Sequence, residues 1–159
     1  MRSWGIVLLP VLFVLFCIAA TADGPLVTVA LGSAAVQAGN KADLNLSVTV
    51  PPGQQVAGLN WTLRYPTSQF ENIVVTSGPA ADAAKKWVKC NPISGGMKCL
   101  VYGINTNLLA SGTVARVTFD VKKGVAKSSV GIHVADLTIA SPTGTPVRAA
   151  ASDGAISVQ

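Results

Sequence analysis

The chain has 159 residues, half of them apolar and 12% charged, with 12 Lys+Arg against 7 Asp+Glu. That length supports one domain with a real core, or two very small ones, and the composition excludes a disordered chain, a coiled coil and a long helical bundle. The cations are scattered, which argues against a nucleic-acid partner, and one His beside seven acidic residues leaves little material for catalysis or metal binding.

The chain opens like an export signal. Arg2 supplies a positive start, Trp4 to Ala20 is almost wholly apolar, and Ala20-Thr21-Ala22 offers small residues to a signal peptidase. Residues 1–22 are therefore expected to be removed before Asp23, leaving no membrane span and one domain over residues 23–159. The run contains Pro10 and is marginal for a bilayer span of roughly 20 residues, so an uncleaved anchor is the alternative. Cys17 leaves with the leader. Cys90 and Cys99 remain, and two cysteines in an exported chain most simply pair with each other.

Beyond the leader the period is two, the signature of strands. A first strand is expected near Leu26–Leu31. Leu44, Leu46, Val48 and Val50 then alternate with polar residues until Pro51-Pro52-Gly53 ends the run. In Gly58 to Tyr65, Leu59, Trp61, Leu63 and Tyr65 face one way, and Asn60, Thr62 and Arg64 the other. Phe70 to Thr76 is a further strand, and Ala80 to Lys86 is long enough for one helical turn at most. A hairpin follows, Lys86 to Cys90 and Lys98 to Gly103, around a turn over residues 91–97. In Thr113 to Val121, Ala115, Val117, Phe119 and Val121 share a face. Val130, Ile132 and Val134 alternate, and the phase then slips to Leu137 and Ile139, which calls for a bulge near Ala135-Asp136. Asp153-Gly154 precedes a last strand, Ala155 to Val158. Nine or ten short strands without a long helix predict an all-β fold: an antiparallel β-sandwich of jelly-roll type.

Catalytic patterns are missing. There is no G-x-S-x-G elbow, Glu71 is the only Glu, and no aspartate pair stands out for a glycosidase. His133 sits on a strand with no nucleophile to serve. The spacing of Cys90 and Cys99 does not suit a zinc knuckle, and no acidic cluster suits calcium. Neither an enzyme nor a cofactor or metal site is expected.

The hairpin carries the sharpest functional expectation. If Cys90 and Cys99 pair directly across it, Lys89 opposes Leu100, Val88 opposes Val101, and Trp87 opposes Tyr102. Val88, Val101 and the cystine then share one face, and Trp87, Lys89, Lys98, Leu100 and Tyr102 share the other. The second face mixes rings with amines, which suits a platform for a protein or a sugar. The candidate binding residues are Trp87, Lys89, Leu100 and Tyr102, with Asn60, Thr62 and Arg64 on a strand expected nearby. The alternative register of burial stays open: Trp87 and Tyr102 as core, with Val88 and Val101 outward.

The order of features resembles the cohesin-like domains, which share a jelly-roll sandwich with certain cellulose-binding modules. The resemblance runs through Val36-Gln37-Ala38-Gly39 and Leu44–Val50, the strand Val56 to Pro66, Phe70-Glu71-Asn72, the stretch Ala110 to Val121, and Asp153 to Val158. The family's tyrosine is usually followed by an aspartate, whereas Pro66 follows Tyr65 here. The resemblance implies a secreted, non-catalytic module that attaches a dockerin-like protein in an extracellular assembly, with a link to polysaccharide degradation. A carbohydrate-binding module is the alternative, with polysaccharide as partner, as is a structural subunit of a cell-surface assembly. Few coplanar aromatics favour protein over polysaccharide.

Overall fold

A computed structural model describes residues 25–159; the expected leader, residues 1–22, and its cleavage point before Asp23 lie outside the described residues. Twelve strands are present among the described residues: β1 (Val27–Leu31), β2 (Ala34–Val36), β3 (Lys41–Thr49), β4 (Gly58–Arg64), β5 (Phe70–Ser77), β6 (Trp87–Ile93), β7 (Gly96–Tyr102), β8 (Gly112–Val121), β9 (Ser128–Ala140), β10 (Pro146–Val147), β11 (Ala149–Ser152) and β12 (Gly154–Val158). One short helix, α1 (Pro79–Ala83), and a 3-10 turn over Thr67–Gln69 complete the elements. No helix among the described residues is long and apolar enough to cross a membrane.

Two sheets face each other. One runs β11-β1-β3-β8-β5; the other runs β2-β12-β9-β4-β7-β6, with β10 paired to β9. The strand count exceeds the expected nine or ten because both ends of the sandwich change sheets. β1 pairs with β11 in the first sheet, and β2 pairs with β12 in the second. These two pairings are parallel, so the sandwich is antiparallel everywhere except where its terminal segments run side by side. The crossing is tight: a Cβ on Gly154 would lie 2.1 Å from the Gly32 carbonyl oxygen, so only glycine fits there.

The alternating residues meet between the sheets. Leu44, Leu46 and Val48 of β3, Leu59, Trp61 and Leu63 of β4, and Ala115, Val117 and Phe119 of β8 are all buried. Tyr65 and Phe70 pack edge-on and tilted against Phe119 to close one end of the core. Burial there pushes the Tyr65 phenol above its ordinary range. Val114 departs from the alternation. It belongs to the outer side of β8 but is buried, because α1 lies against that strand.

The slip on β9 is a bulge. Thr62 pairs with Ala135 and Asn60 with Thr138, so Asp136 and Leu137 together oppose Trp61. Asp136 takes a left-handed φ of 51°, which lets the strand add a residue and return its apolar side to the core.

Candidate functional site

The β6–β7 hairpin has the register that a direct cystine demands. Trp87 pairs with Tyr102, Val88 with Val101, Lys89 with Leu100, and Cys90 with Cys99. The cysteines are bonded, with their Cα atoms 4.1 Å apart. The turn is tighter than the expected span of residues 91–97: the strands continue to Ile93 and from Gly96, leaving Ser94 and Gly95 as the loop. Gly95 makes this possible with a φ of 71°, a left-handed position that glycine occupies without strain. Pro92 is tolerated because β6 is an edge strand.

Burial decides which face turns outward. Val101 and Cys99 are buried, whereas Trp87 is 53% exposed, and Leu100 and Tyr102 are also exposed. The core placement of Trp87 and Tyr102 is therefore excluded. Their ring centroids lie 5.6 Å apart with planes inclined at 49°. Lys89 and Lys98 are exposed on the same side.

β4 lies beside β7, with Asn60 opposite Leu100, Thr62 opposite Lys98 and Arg64 opposite Gly96. The structure thus brings all seven candidate residues onto one outer sheet face. Thr62 is the exception in accessibility: it is 1% exposed and cannot contact a partner directly. Its short side chain sits mid-sheet between Lys98 on β7 and Ala135 on β9, and the taller neighbours and the adjoining bulge cover it. Arg64 is exposed, and its Nη1 donates to the Ser94 carbonyl at 2.9 Å, which ties it to the hairpin turn.

Sequence reasoning missed two contributors. Ile104 follows β7 after Gly103 and is 94% exposed, extending the apolar edge beyond Tyr102. It falls in a turn, where alternation assigns no face. The loop that carries it is anchored: Asn105 Nδ2 donates to the Lys85 carbonyl at 2.8 Å, and Asn107 Nδ2 donates to the Ala84 carbonyl at 3.1 Å. Asn105 Oδ1 in turn accepts from the Asn107 amide at 3.1 Å. Lys86 is the second. The sequence places it at the start of the hairpin and assigns it no role; it is buried, with Nζ donating to the Asn105 carbonyl at 3.0 Å. The asparagines downstream were the available signal, since their side chains satisfy backbone groups in loops.

On the same outer face, opposite Arg64 on β9, His133 pairs with Asp153, Nδ1 to Oδ2 at 2.7 Å, and Asp153 Oδ1 accepts from the Val134 amide at 2.8 Å. The His133 hydrogen bond, then the Val134 amide, hold the Asp153 carboxyl below the usual carboxylate range. Among the described residues no three His, Cys, Asp or Glu side chains gather to hold a metal ion.

The cohesin-domain family model matches residues 27–158, which span both sheets from β1 to the end of β12. The chain belongs to the cohesin family. Solved cohesin structures superpose on it at low identity. A type I cohesin–dockerin complex from Clostridium thermocellum matches with a TM-score of 0.76 at 12% identity, over 85% of this chain and 100% of that one. The sixth cohesin of Acetivibrio cellulolyticus scaffoldin B, in complex with a Cel5 dockerin, gives 0.73 at 17%, over 85% and 100%. A non-cellulosomal cohesin from the archaeon Archaeoglobus fulgidus gives 0.69 at 18%, over 85% and 92%. No curated protein sequence matches this cohesin.

Proposed function

We propose that this cohesin is a non-catalytic docking module that binds a dockerin-like protein through the outer face of β4, β7 and β6. The observation that carries the reading is where the exposed apolar surface lies. Among the described residues, Trp87, Ile93, Leu100 and Tyr102 all project from one hairpin, with Ile104 beside them, whereas the remaining exposed large apolar side chains, Leu26, Val74 and Leu108, are scattered over a strand start, an outer strand and a loop. A concentrated apolar patch rimmed by polar residues marks an interaction surface. Trp and Tyr at its centre are the residue types that dominate binding energy. Several of the matched cohesins were solved with a dockerin bound, which supports the same class of partner. Such a module acts by attachment, so it belongs with export and an extracellular assembly. The archaeal match is a non-cellulosomal cohesin, so family membership alone does not tie the chain to polysaccharide degradation.

The carbohydrate reading is weaker on geometry. Flat polysaccharide favours coplanar rings, and Trp87 and Tyr102 are tilted by 49°. The test is titration calorimetry against a panel of purified dockerins, with cellulose and xylan pull-downs in parallel. Trp87→Ala and Tyr102→Ala are expected to weaken dockerin binding by roughly 2 kcal/mol or more each. Parental affinity in the folded variants would reject the face. Retention on polysaccharide that is lost with Trp87→Ala would reject the choice of partner.

A further inference from the structure

The proposed docking face carries two depressions, one on each side of Leu100. The first is a cleft of about 300 Å³ whose walls include Lys86, Tyr102, Asn105, Asn60 and Thr138. The second, of about 280 Å³, is lined by Lys89, Lys98, Asn91 and Asn60. Leu100 and Asn60 border both and form the ridge between them.

Lys86 is unusual. It is 4% exposed, yet its Nζ has one hydrogen bond, to the Asn105 carbonyl, and no carboxylate of the described residues lies within 4 Å. An ammonium carries three donors, and buried lysines are ordinarily paired. Gly103 leaves room for its stem, since a Cβ there would lie 2.8 Å from the Lys86 Cδ. Lys89 and Lys98 give the second depression the same sign. No acidic residue lines either depression: Asp136 sits in the β9 bulge, Asp153 is engaged by His133, and Asp82 of α1 accepts from the Ser77 hydroxyl.

We infer that the partner is an acidic protein segment, with one carboxylate entering the cleft to pair with Lys86 and others meeting Lys89 and Lys98 astride Leu100. This rests on the docking reading above and adds the chemistry of the partner. A carboxylate supplies a charged acceptor for the donors that the Asn105 carbonyl leaves over, and a charge-assisted hydrogen bond to a buried ammonium is strong. The ridge of Leu100 and the tilted rings of Trp87 and Tyr102 make a knobbed surface, which suits side chains rather than a flat glycan.

The experiment is panning of a phage-displayed random peptide library on the immobilised full chain. The best selected peptide is then synthesised and titrated against variants. The expected consensus places Asp or Glu on either side of an apolar residue. Lys86→Met should weaken that peptide by about thirtyfold or more, and added salt should weaken it further. Lys89→Glu/Lys98→Glu changes only exposed positions, so it keeps its fold whatever Lys86→Met does, and should weaken binding at least about tenfold. A neutral or basic consensus, no selected binder, or unchanged affinity in both charge variants would overturn the inference. The docking reading survives if the selected peptides are not acidic but still lose binding with Trp87→Ala/Tyr102→Ala. Peptides that bind that double variant undiminished would overturn the docking reading itself. Retention of the chain on polygalacturonate, abolished by Lys86→Met, would overturn the protein partner in favour of an acidic polysaccharide.

Discussion

Trp61 and Trp87 are the same residue type placed on opposite sides of one sheet, and truncating each separates core from surface. Trp61 has no exposed area and sits between the sheets opposite Cys99. Removing a buried indole forfeits its transfer energy and leaves a cavity that packed neighbours fill poorly, so Trp61→Ala should cost about 3–5 kcal/mol. A domain of this size has roughly 5–15 kcal/mol in total, so the variant keeps a folded state with a much lower midpoint. Trp87 is half exposed and its ring contact is Tyr102. That pair contributes about 0.5–1.5 kcal/mol beyond the area it covers, and with half the indole already in solvent the loss in Trp87→Ala should stay well below that in Trp61→Ala. Urea titration followed by circular dichroism measures both, with a common slope confirming comparable unfolding. The Trp61 Nε1 has no hydrogen-bond partner, so Trp61→Phe strands no acceptor and should unfold well above Trp61→Ala. Equal midpoints for Trp61→Ala and Trp87→Ala would refute the assignment of the two faces, and with it the docking surface.

Two further outcomes are expected. Reducing the Cys90–Cys99 bond, which closes a short loop across the hairpin, should lower stability by about 2.7 kcal/mol; an unchanged urea midpoint despite full thiol labelling would contradict this. Because the Asp153 carboxyl is held low in the folded state, its contribution is present above its unfolded value of about 4 and is lost as pH falls through the lower folded value. The pair with His133 is exposed and screened, so the effect stays below about 1 kcal/mol. Asp153→Asn should accordingly flatten the acid limb of the stability curve, and a midpoint shift that is the same at every pH would count against the linkage.

Much of this fold was legible in the chain because a β-sandwich writes itself in local alternation. The inward sets Leu59, Trp61, Leu63 and Ala115, Val117, Phe119 follow from period two alone, as does the phase slip that Asp136 resolves. The hairpin register followed from one covalent assumption, since a cystine between Cys90 and Cys99 fixes every pairing beyond it. Alternation, however, says only that two faces differ. That Val101 turns inward and Trp87 outward was decided by the opposing sheet, which covers one side of β7 and leaves the other open. Neighbours in space likewise buried Thr62 between β7 and β9, buried Val114 beneath α1, and joined the first and last segments across both sheets. Lys86 shows the limit most clearly. As a residue type it belongs in water, and only the loop folding back through Asn105 and Asn107 encloses it. Local pattern determines which residues can share a face, whereas enclosure depends on groups distant in sequence and is set by the packing of the whole domain.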